Sequence, residues 1–532
     1  MNKTPILKLN NSDDVVIART ELPAGSWLES ESMETRDLIP AGHKIALRDI
    51  PAGSAVKRYG QIIGFATRDI RQGEHIHVHN LGMGSFERDY AWGIDSHLPE
   101  KDVHQDTFMG IRRKDGRVAT RNYIGVLSSV NCSATVVRAI EDHFRTRGLS
   151  DYPNVDGIVA LPQSFGCAFG SDSEMMKVMR RTMAGYATHA NFAGIVIVGL
   201  GCESFQIKDM MNAHGLHESP VFHTMTIQES GGTRNAIEKG ISFILDMLPE
   251  ANNVKREPVP VSEIILALEC GGSDSYSGIS ANPALGYAVD RLVRQGGTAI
   301  LSETSEIYGA EHLLTRRAIS REVGEKLIRR IKWWEEYCKR TGSEMNNNPS
   351  AGNKAGGLTT VLEKSLGGIA KAGTTSLMDV YEYAEPVTAK GLVFMDTPGY
   401  DPMAVTGQIA GGANLLCFTT GIFPYAPNAV LVGFLSSFAA GLIGMFTLYL
   451  LNMIVIIPGV VPHFFVGAAA GVFGNATGGR RGAILGAFAQ GLLITFLSVF
   501  LLPVLGDIGF ANTTFSDADF GALGILLGII VR

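Results

Sequence analysis

Four histidines near the start of the 532-residue chain could bind a metal ion or move protons. His75, His77 and His79 alternate with other residues in the segment HIHVH, and His43 stands in an earlier apolar segment. If HIHVH is a β-strand, its three histidines lie on one face. Imidazole is a good ligand for iron, zinc or manganese. The spacing therefore predicts a metal or substrate site, and the alternative is a solvated edge strand with its polar residues outward.

Four of the six cysteines directly follow predicted strands and are candidate metal ligands. Thiolates could bind iron or an iron–sulfur cluster. Their spacings of 35, 35 and 68 residues match no local cluster motif, so the alternative is small buried residues in tight turns. The candidates are Cys132, Cys167, Cys202 and Cys270.

Two further strand ends carry polar side chains that suit a hydroxylated substrate. Residues 269–282 read ECGGSDSYSGISAN, in which Ser273, Asp274 and Asn282 could recognise hydroxyls or coordinate a metal. Glu303 follows the next predicted strand, where a carboxyl group is a candidate general acid or base. The alternative for these serines and aspartates is helix capping.

A polar, glycine-rich loop precedes a predicted helix at residues 348–357, NPSAGNKAGG. Exposed N–H groups at the start of a helix, together with the ammonium group of Lys354, would attract a carboxylate. The loop therefore predicts anion binding, and the alternative is an ordinary connecting loop.

The elements that must position these residues follow from the apolar pattern. Residues 1–80 are β-rich with Gly and Pro turns and predict a small β domain, and the polar residues 81–108 predict a linker. From about residue 109, short apolar runs alternate with helical stretches, which predicts parallel sheets that bind ligands beyond the carboxyl ends of their strands. The predicted strands are 123–127, 157–161, 194–198, 263–268, 298–301, 391–395 and 414–418, and the predicted helices are 134–145, 173–187, 231–247, 284–295 and 321–340.

Charge divides the chain into two parts. Residues 422–532 contain only six charged side chains, and residues 422–479 contain none. A membrane-spanning helix needs about 20 apolar residues, so this tail predicts about three crossings, with buried core helices as the alternative. The net charge of −6 argues against nucleic acid as a partner. The first residues lack the apolar core of a signal peptide, which places the part before the tail in the cytoplasm.

Long motifs occur in order along residues 5–421: IPAGHKIALRDI, KRYGQIIGFATRDI, FGCAFG, VGLGCE, ECGGSDSYSGISANPALG, NPSAGNKAGG and EKSLGGIAKAG. Together they closely resemble the altronate/galactarate dehydratase family. The resemblance implies a small N-terminal SAF-type β domain followed by parallel α/β domains. It also implies dehydration of a sugar acid to a 2-keto-3-deoxy acid with a divalent metal, usually Fe²⁺. The sulfolactate sulfo-lyases are relatives, so C–S lyase activity is the alternative.

Dehydration assigns roles to the candidate residues. The proton α to the substrate carboxylate is removed and a β-hydroxyl leaves, which requires a base, an acid and stabilisation of the enediolate, for example by a metal. The predicted catalytic residues are His43, His77 and Glu303; the predicted substrate ligands are Ser273, Asp274, Asn282, Asn353 and Lys354; the predicted metal ligands are His75, His77, His79, Cys132, Cys167, Cys202 and Cys270. The substrate stays open, since HIHVHN resembles the altronate enzymes whereas VLEKSLGGIAKAG and PNVDGIVAL resemble the galactarate enzymes.

The tail resembles a different family. FPYAPNAVLVGFLSSFAAGLIGMF and GVVPHFFVGAAAGVFGNATGGRRGAILGAF are similar to the membrane subunit IIC of an ascorbate-type sugar phosphotransferase system. The resemblance implies a partial transport segment in the lipid bilayer of the inner membrane, with the enzyme part in the cytoplasm. The change near residue 421 indicates a gene fusion that shortens the last dehydratase domain. An inactive chimera or a transport component is the alternative, and a homo-oligomer stays open. The predicted domains are 1–80, 109–260, 261–421 and 422–532, with a linker at 81–108.

Overall fold

The structure is a computed structural model that describes residues 4–84, 88–166, 170 and 172–420. No helix in these residues is long and apolar enough to cross a membrane. The predicted transmembrane segment at 422–532 lies outside the described residues, as does Cys167.

The N-terminal domain consists of nine short strands, because turns interrupt its apolar runs every few residues. Four strands form an antiparallel sheet of order β1-β2-β5-β8, three form a sheet of order β6-β7-β9, and β3 pairs with β4. Isoleucines fill the core between them. The strands are β1 (Ile6–Leu7), β2 (Val15–Ala18), β3 (Trp27–Leu28), β4 (Met33–Glu34), β5 (Lys44–Ala46), β6 (Ala55–Arg58), β7 (Gln61–Ala66), β8 (His75–Ile76) and β9 (Leu81–Gly82).

The middle domain is a parallel sheet covered by helices on both faces. Its strands have the order β13-β12-β14-β15, and a small antiparallel sheet of order β11-β10-β16 lies beside them. The strands are β10 (Thr107–Arg112), β11 (Val118–Ala119), β12 (Tyr123–Ser128), β13 (Gly157–Leu161), β14 (Phe192–Gly199), β15 (Phe222–Thr226) and β16 (Glu257–Pro260). The helices are α1 (Ala134–Arg147), α2 (Glu174–Ala187), α3 (Ile207–Ala213) and α4 (Thr233–Asn252).

The C-terminal domain is a second parallel sheet, of order β19-β20-β18-β17-β21. Its central strands are buried on both faces, as their continuous apolar runs require. The strands are β17 (Ile265–Cys270), β18 (Thr298–Leu301), β19 (Leu377–Tyr381), β20 (Gly391–Met395) and β21 (Leu415–Thr419). The helices are α5 (Ala281–Arg294), α6 (His312–Thr315), α7 (Arg321–Arg340), α8 (Ala351–Ala355), α9 (Val361–Ile369) and α10 (Asp401–Ala410).

The segment predicted as a linker packs on the C-terminal domain. The hydroxyl group of Tyr90 donates a hydrogen bond to Glu311 at 2.7 Å. The backbone N–H of His97 donates to the hydroxyl of Ser376, also at 2.7 Å. The connection between the first two domains is therefore held against the third.

A buried group of three charges joins the N-terminal domain to the C-terminal domain. Lys44 on β5 and Arg58 on β6 contact the two carboxylate oxygens of Glu363 on α9 at 2.9 and 2.5 Å, and the side chains of all three are fully buried. Burial alone would raise the pKa of Glu363, but the two cations lower it to about 2. Lys44 also donates to the carbonyl oxygen of Gly357 at 2.6 Å. The net charge of this cation–carboxylate–cation group is positive, so its stability depends on the single carboxylate.

Replacement of that carboxylate is the first test of the domain contact. Glu363→Gln leaves two buried cations without a counter-charge, and we expect a loss of about 3–5 kcal/mol in the free energy of unfolding. Urea unfolding, monitored by tryptophan fluorescence, measures this loss, since all four tryptophans precede residue 420. The matched control is Glu238→Gln, which removes an exposed helical ion pair with Arg234 and should cost less than about 1 kcal/mol. Similar losses in the two variants would contradict the prediction.

His189 joins the middle and C-terminal domains in its neutral form. Its Nε2 donates to the carbonyl oxygen of Ala413 at 2.9 Å, and its Nδ1 accepts from the backbone N–H of Asn191 at 3.1 Å. Burial lowers the pKa of His189 to about 4. Its pKa in the unfolded chain is about 6.5, so the stability that it contributes is complete above that pH and is lost as the pH falls toward 4.

The second prediction follows from this pKa difference. Between pH 7 and pH 4 the folded protein should lose about 3 kcal/mol through His189. His189→Gln retains a donor toward Ala413 but does not titrate, so its stability should fall less over this range. Unfolding midpoints at several pH values measure the difference. If the stability of both proteins falls equally between pH 7 and pH 4, His189 does not cause the loss.

Candidate active site

The four histidines form one cluster on the N-terminal domain. The ring centroid of His43 lies 5.0 Å from that of His75 and 4.9 Å from that of His77, and the centroid of His79 lies 5.4 Å from that of His75. The prediction that alternation along a strand groups these histidines is wrong, because β8 ends at Ile76 and a turn follows. The turn brings the rings together instead.

Asn80 holds this turn, a role that the sequence analysis missed. Its side-chain oxygen accepts from the backbone N–H of His77, and its amide donates to the carbonyl oxygen of His75, both at 2.9 Å. Asn80 is fully buried. The residue directly after HIHVH was the available signal, since a buried Asn commonly closes a turn in this way.

Hydrogen bonds determine which ring nitrogens are free. The Nε2 atoms of His43 and His77 donate to the carbonyl oxygens of Ala355 and Lys354 at 3.1 and 2.8 Å, because a carbonyl can only accept. In neutral His43, Nδ1 must then accept, and it lies 2.9 Å from Nε2 of His75. The unprotonated nitrogen of His77 is therefore Nδ1, and so is that of His75.

Three histidines of the cluster are neutral at physiological pH. Burial, together with the neighbouring histidines, lowers the pKa of His43 to about 4 and that of His75 to about 3. Burial also lowers the pKa of His77. Neutral imidazoles with unprotonated nitrogens can accept a proton or bind a metal.

The loop at residues 348–357 supplies the carbonyl groups that fix these rings. Ser350 and Asn353 form a capping box at the start of α8. The side-chain amide of Asn353 donates to the carbonyl oxygen of Ser273 at 2.7 Å, so Asn353 positions the loop. The ammonium group of Lys354 is half-buried and has no partner among the described residues. Both residues stay predicted substrate ligands, and Lys354 is the one with an uncommitted side chain.

The other predicted hydroxyl ligands are engaged within the protein. One carboxylate oxygen of Asp274 accepts from the backbone N–H groups of Tyr276 and Ser277, both at 2.8 Å. Asn282 donates to the carbonyl oxygen of Gly367 at 2.9 Å and accepts from Thr419 at 2.7 Å. These contacts hold the loop at residues 269–282 in shape. Such a structural role corresponds to the alternative of helix capping that the sequence left open.

A second polar cluster lies at the carboxyl ends of the strands in the C-terminal sheet. Glu269 is the second-last residue of β17. Glu303 follows β18, and Asp401 is the first residue of α10, after β20. One oxygen of each carboxylate lies within 4.8 Å of the other two. Lys371 is 3.3 Å from Glu303, and the neighbouring Glu306 pairs with Lys364 at 2.6 Å. Burial, together with nearby carboxylates, raises the pKa of Glu303 to about 8 and also raises that of Glu269.

The cysteines do not form a ligand set in the described part of the chain. Cys132 and Cys202 are exposed on the middle domain, and Cys270 is buried beside Ser273 in the C-terminal domain. Burial raises the pKa of Cys270 well above its usual value, so it is a neutral thiol. Among the residues that the structure describes, no cysteine belongs to a group of three metal-binding side chains.

The two clusters fit a metal ion to different degrees. The imidazoles have the right chemistry for iron, but their rings stack and no three of their nitrogens converge among the described residues. The carboxylates converge, and two of their oxygens, Oε2 of Glu269 and Oε1 of Glu303, are buried without a partner. The carboxylate cluster is therefore the better preformed cation site.

Comparisons with known proteins agree with this architecture. Residues 4–84 match the altronate/galactarate dehydratase SAF domain. Residues 110–252 match the D-galactarate dehydratase/altronate hydrolase second domain, and residues 261–427 match the D-galactarate/altronate dehydratase C-terminal domain. Residues 420–519 match the PTS system sugar-specific permease component.

Curated relatives cover most of the same region. An altronate dehydratase of Bacillus subtilis (strain 168) is 34% identical over 423 residues, 78% of this chain and 83% of its own. A galactarate dehydratase (L-threo-forming) of Escherichia coli (strain K12) is 36% identical over 435 residues, 80% and 83% of the two chains. The (2R)-sulfolactate sulfo-lyase subunit beta of Chromohalobacter salexigens is 33% identical over 320 residues, 59% of this chain and 77% of its own. Because three of its domains match family models and these relatives are more than 30% identical, the chain belongs to the altronate/galactarate dehydratase family. Its last part matches a sugar-specific permease component.

Proposed function

We propose that the chain is a hydro-lyase that converts altronate or galactarate to a 2-keto-3-deoxy acid with the help of a divalent metal, expected to be Fe²⁺. The observation that carries the proposal is the group of three neutral histidines, His43, His75 and His77, at residues 348–357. It provides unprotonated nitrogens at a contact between two domains, against the loop that carries Lys354, whose ammonium group is uncommitted among the described residues.

The proposed chemistry uses His77 as the base. Its Nε2 is committed to the carbonyl oxygen of Lys354, so Nδ1 is the atom that would take the proton α to the substrate carboxylate. The electron pair of that C–H bond forms the double bond, and the β-hydroxyl leaves as water with a proton from the general acid, for which Glu303 is the candidate. The resulting enol tautomerises to the keto acid. His43 donates to the carbonyl oxygen of Ala355, next to the Lys354 carbonyl that binds His77, and would thereby hold this part of the loop in place for His77. Lys354 would bind the substrate carboxylate.

A bound divalent metal would polarise the substrate carboxylate and stabilise the enediolate. The sequence predicts His75, His77 and His79 as ligands; because Nδ1 of His77 is the proposed base, His75 and His79 would be the histidine ligands. The carboxylate cluster is the second candidate set. Glu303 is the third proposed catalytic residue. Its backbone has a φ of +64°, a strained conformation for a non-glycine residue that is often found at functional sites.

We also propose that residues 422–532 hold the enzyme part at the inner membrane, on the cytoplasmic side. The match of residues 420–519 to a sugar-specific permease component supports this proposal. A sulfolactate-type C–S lyase is the second candidate activity, supported by the relative named for it.

An activity assay tests the proposed reaction. The full-length chain, extracted in mild detergent and kept anaerobic with Fe²⁺, should release a 2-keto-3-deoxy acid from altronate or from galactarate. Sulfolactate is the third substrate, and release of sulfite from it alone would establish the lyase alternative. No turnover of any substrate, alongside an active dehydratase from the family as control, would show an inactive chimera.

Removal of the proposed base gives a sharper test. His77→Gln retains an amide that can donate to the carbonyl of Lys354 but lacks a basic nitrogen, so we expect kcat to fall about 10²- to 10⁴-fold. The thermal stability should change little. His223→Gln is the control, because His223 stacks on Phe243 in the middle domain. Unchanged kcat in His77→Gln would remove His77 from the chemistry.

A further inference from the structure

One face of helix α7 carries aromatic and basic side chains together. The opposite face of this helix packs into the core of the C-terminal domain through Val323, Leu327 and Ile331. On the outer face, side chains three or four positions apart in sequence lie next to one another. This outer face, which we call the α7 surface, consists of six exposed residues: Arg329, Lys332, Trp333, Tyr337, Lys339 and Arg340.

Trp333 and Tyr337 present two aromatic rings on this surface. Each residue is 41% exposed, and the rings are stacked nearly in parallel, with their centroids 5.3 Å apart and an angle of 8° between their planes. Each ring has a large apolar body and one polar group, the indole N–H or the phenol hydroxyl. Side chains of this kind suit the boundary between water and lipid, where Trp and Tyr are enriched.

The cations of the α7 surface have no counter-charge of their own. Among the residues that the structure describes, the side chains of Arg329, Lys332, Lys339 and Arg340 form no ion pair and no hydrogen bond. Glu336 is the one exposed carboxylate in residues 329–340, so the surface has a net charge of +3, whereas the whole chain has a net charge of −6. Cations stabilise the carboxyl end of a helix, which explains Lys339 and Arg340. It does not explain Arg329 and Lys332, which stand before the last turn.

Charge decides which partner fits this surface. A second copy of the chain does not, because a two-fold contact through α7 would bring the same four cations of each copy together. An anionic lipid surface supplies the opposite charge, and it attracts Lys and Arg side chains that come close to it. The match of residues 420–519 to a sugar-specific permease component gives a reason for such a surface to lie beside this domain.

The position of α7 in the fold makes it a separate point of contact. Lys326 of α7 pairs with Asp379 of β19 at 2.6 Å. β19 and β21 are the two outermost strands of the sheet, and four strand spacings separate them by about 19 Å. The chain leaves this sheet after β21, so a contact at the α7 surface would lie at the other edge.

We propose that the α7 surface docks on a lipid bilayer with anionic headgroups. The four cations face the headgroups, and the rings of Trp333 and Tyr337 enter the interface. This inference rests on one part of the proposed function, which is that residues 422–532 hold the enzyme part at a membrane. It adds a second contact, by which the C-terminal domain lies on the bilayer surface.

Tryptophan fluorescence of the full-length chain in lipid vesicles tests the proposal. All four tryptophans precede residue 420, so the tail contributes no signal. Phosphatidylglycerol with brominated acyl chains should quench this fluorescence, and brominated phosphatidylcholine should quench it much less. We expect Trp333→Phe to abolish the quenching by phosphatidylglycerol. The control is Trp27→Phe, which removes a tryptophan that is 61% exposed on the N-terminal domain and should leave the quenching unchanged.

A charge variant tests the role of the cations. Each Lys or Arg near an anionic surface strengthens binding about fivefold. The combined variant Lys332→Gln, Lys339→Gln and Arg340→Gln should therefore lose the quenching in phosphatidylglycerol vesicles. An unchanged thermal unfolding midpoint would show that the variant is folded. The control removes three charges elsewhere, by replacing with Gln the exposed residues Lys57, Lys101 and Lys255.

Flotation of the chain with each kind of vesicle separates this inference from the proposed membrane location. Flotation without quenching of Trp333 would overturn the inference and leave the attachment through residues 422–532 intact. Quenching of Trp333 with flotation only in phosphatidylglycerol would refute that attachment and support the inference.

Two further results would overturn the proposal. The first is equal quenching by the two lipids that the charge variant does not change, because the cations would then have no role. The second is a blue shift of Trp333 fluorescence that increases with protein concentration in the absence of vesicles, because it would assign the α7 surface to a second copy of the chain.

Discussion

The candidate active site depends on the buried contact of Glu363 with Lys44 and Arg58. These two cations lie on the N-terminal domain, and the carboxylate lies on a helix of the C-terminal domain. Lys44 directly follows His43 in sequence, and it bonds to the carbonyl of Gly357, close to the carbonyls that orient the histidines. One electrostatic contact therefore sets both the position of the domains and the orientation of the imidazole rings. Its energetic weakness is that both cations share one counter-charge.

The C-terminal domain places its chemistry at one edge of a parallel sheet. Because the central strands are buried on both faces, their polar side chains meet at the strand ends. The loop at 348–357 lies between this edge and the histidines: Asn348 donates to Glu306 at 3.1 Å, and Asn353 donates to Ser273. A structural change at one cluster can therefore reach the other through ten residues of a single loop.

Much of the fold could be predicted from the sequence, because strongly periodic segments depend on local pattern. The strands at 157–161, 298–301 and 391–395 and the helix at 321–340 have the predicted bounds. β15 and α10 were missed, since Thr and His interrupt the first and Gly and Thr weaken the pattern of the second. Both are elements whose formation depends on packing against their neighbours.

The site was predictable only in part. The grouping of the histidines was expected, but a turn held by Asn80 produces it. The carboxylate cluster could not be derived, because Glu269, Glu303 and Asp401 meet only when the order of the strands is known. One signal was present: Lys364 and Lys371 stand in an apolar helical stretch, where a buried charge implies an opposite charge nearby.

The last described strand, β21, protects the carboxyl end of β17, where the carboxylate cluster lies. The hydroxyl group of Thr419 donates to the side-chain oxygen of Asn282 at 2.7 Å and lies 3.2 Å from the backbone carbonyl oxygen of Glu269. β21 covers one side of β17. The match to the permease component begins at residue 420. Loss of β21 would leave the backbone of β17 exposed beside the carboxylates. The match to the D-galactarate/altronate dehydratase C-terminal domain reaches residue 427, so the strand that covers this side of β17 belongs to the sequence shared with that family.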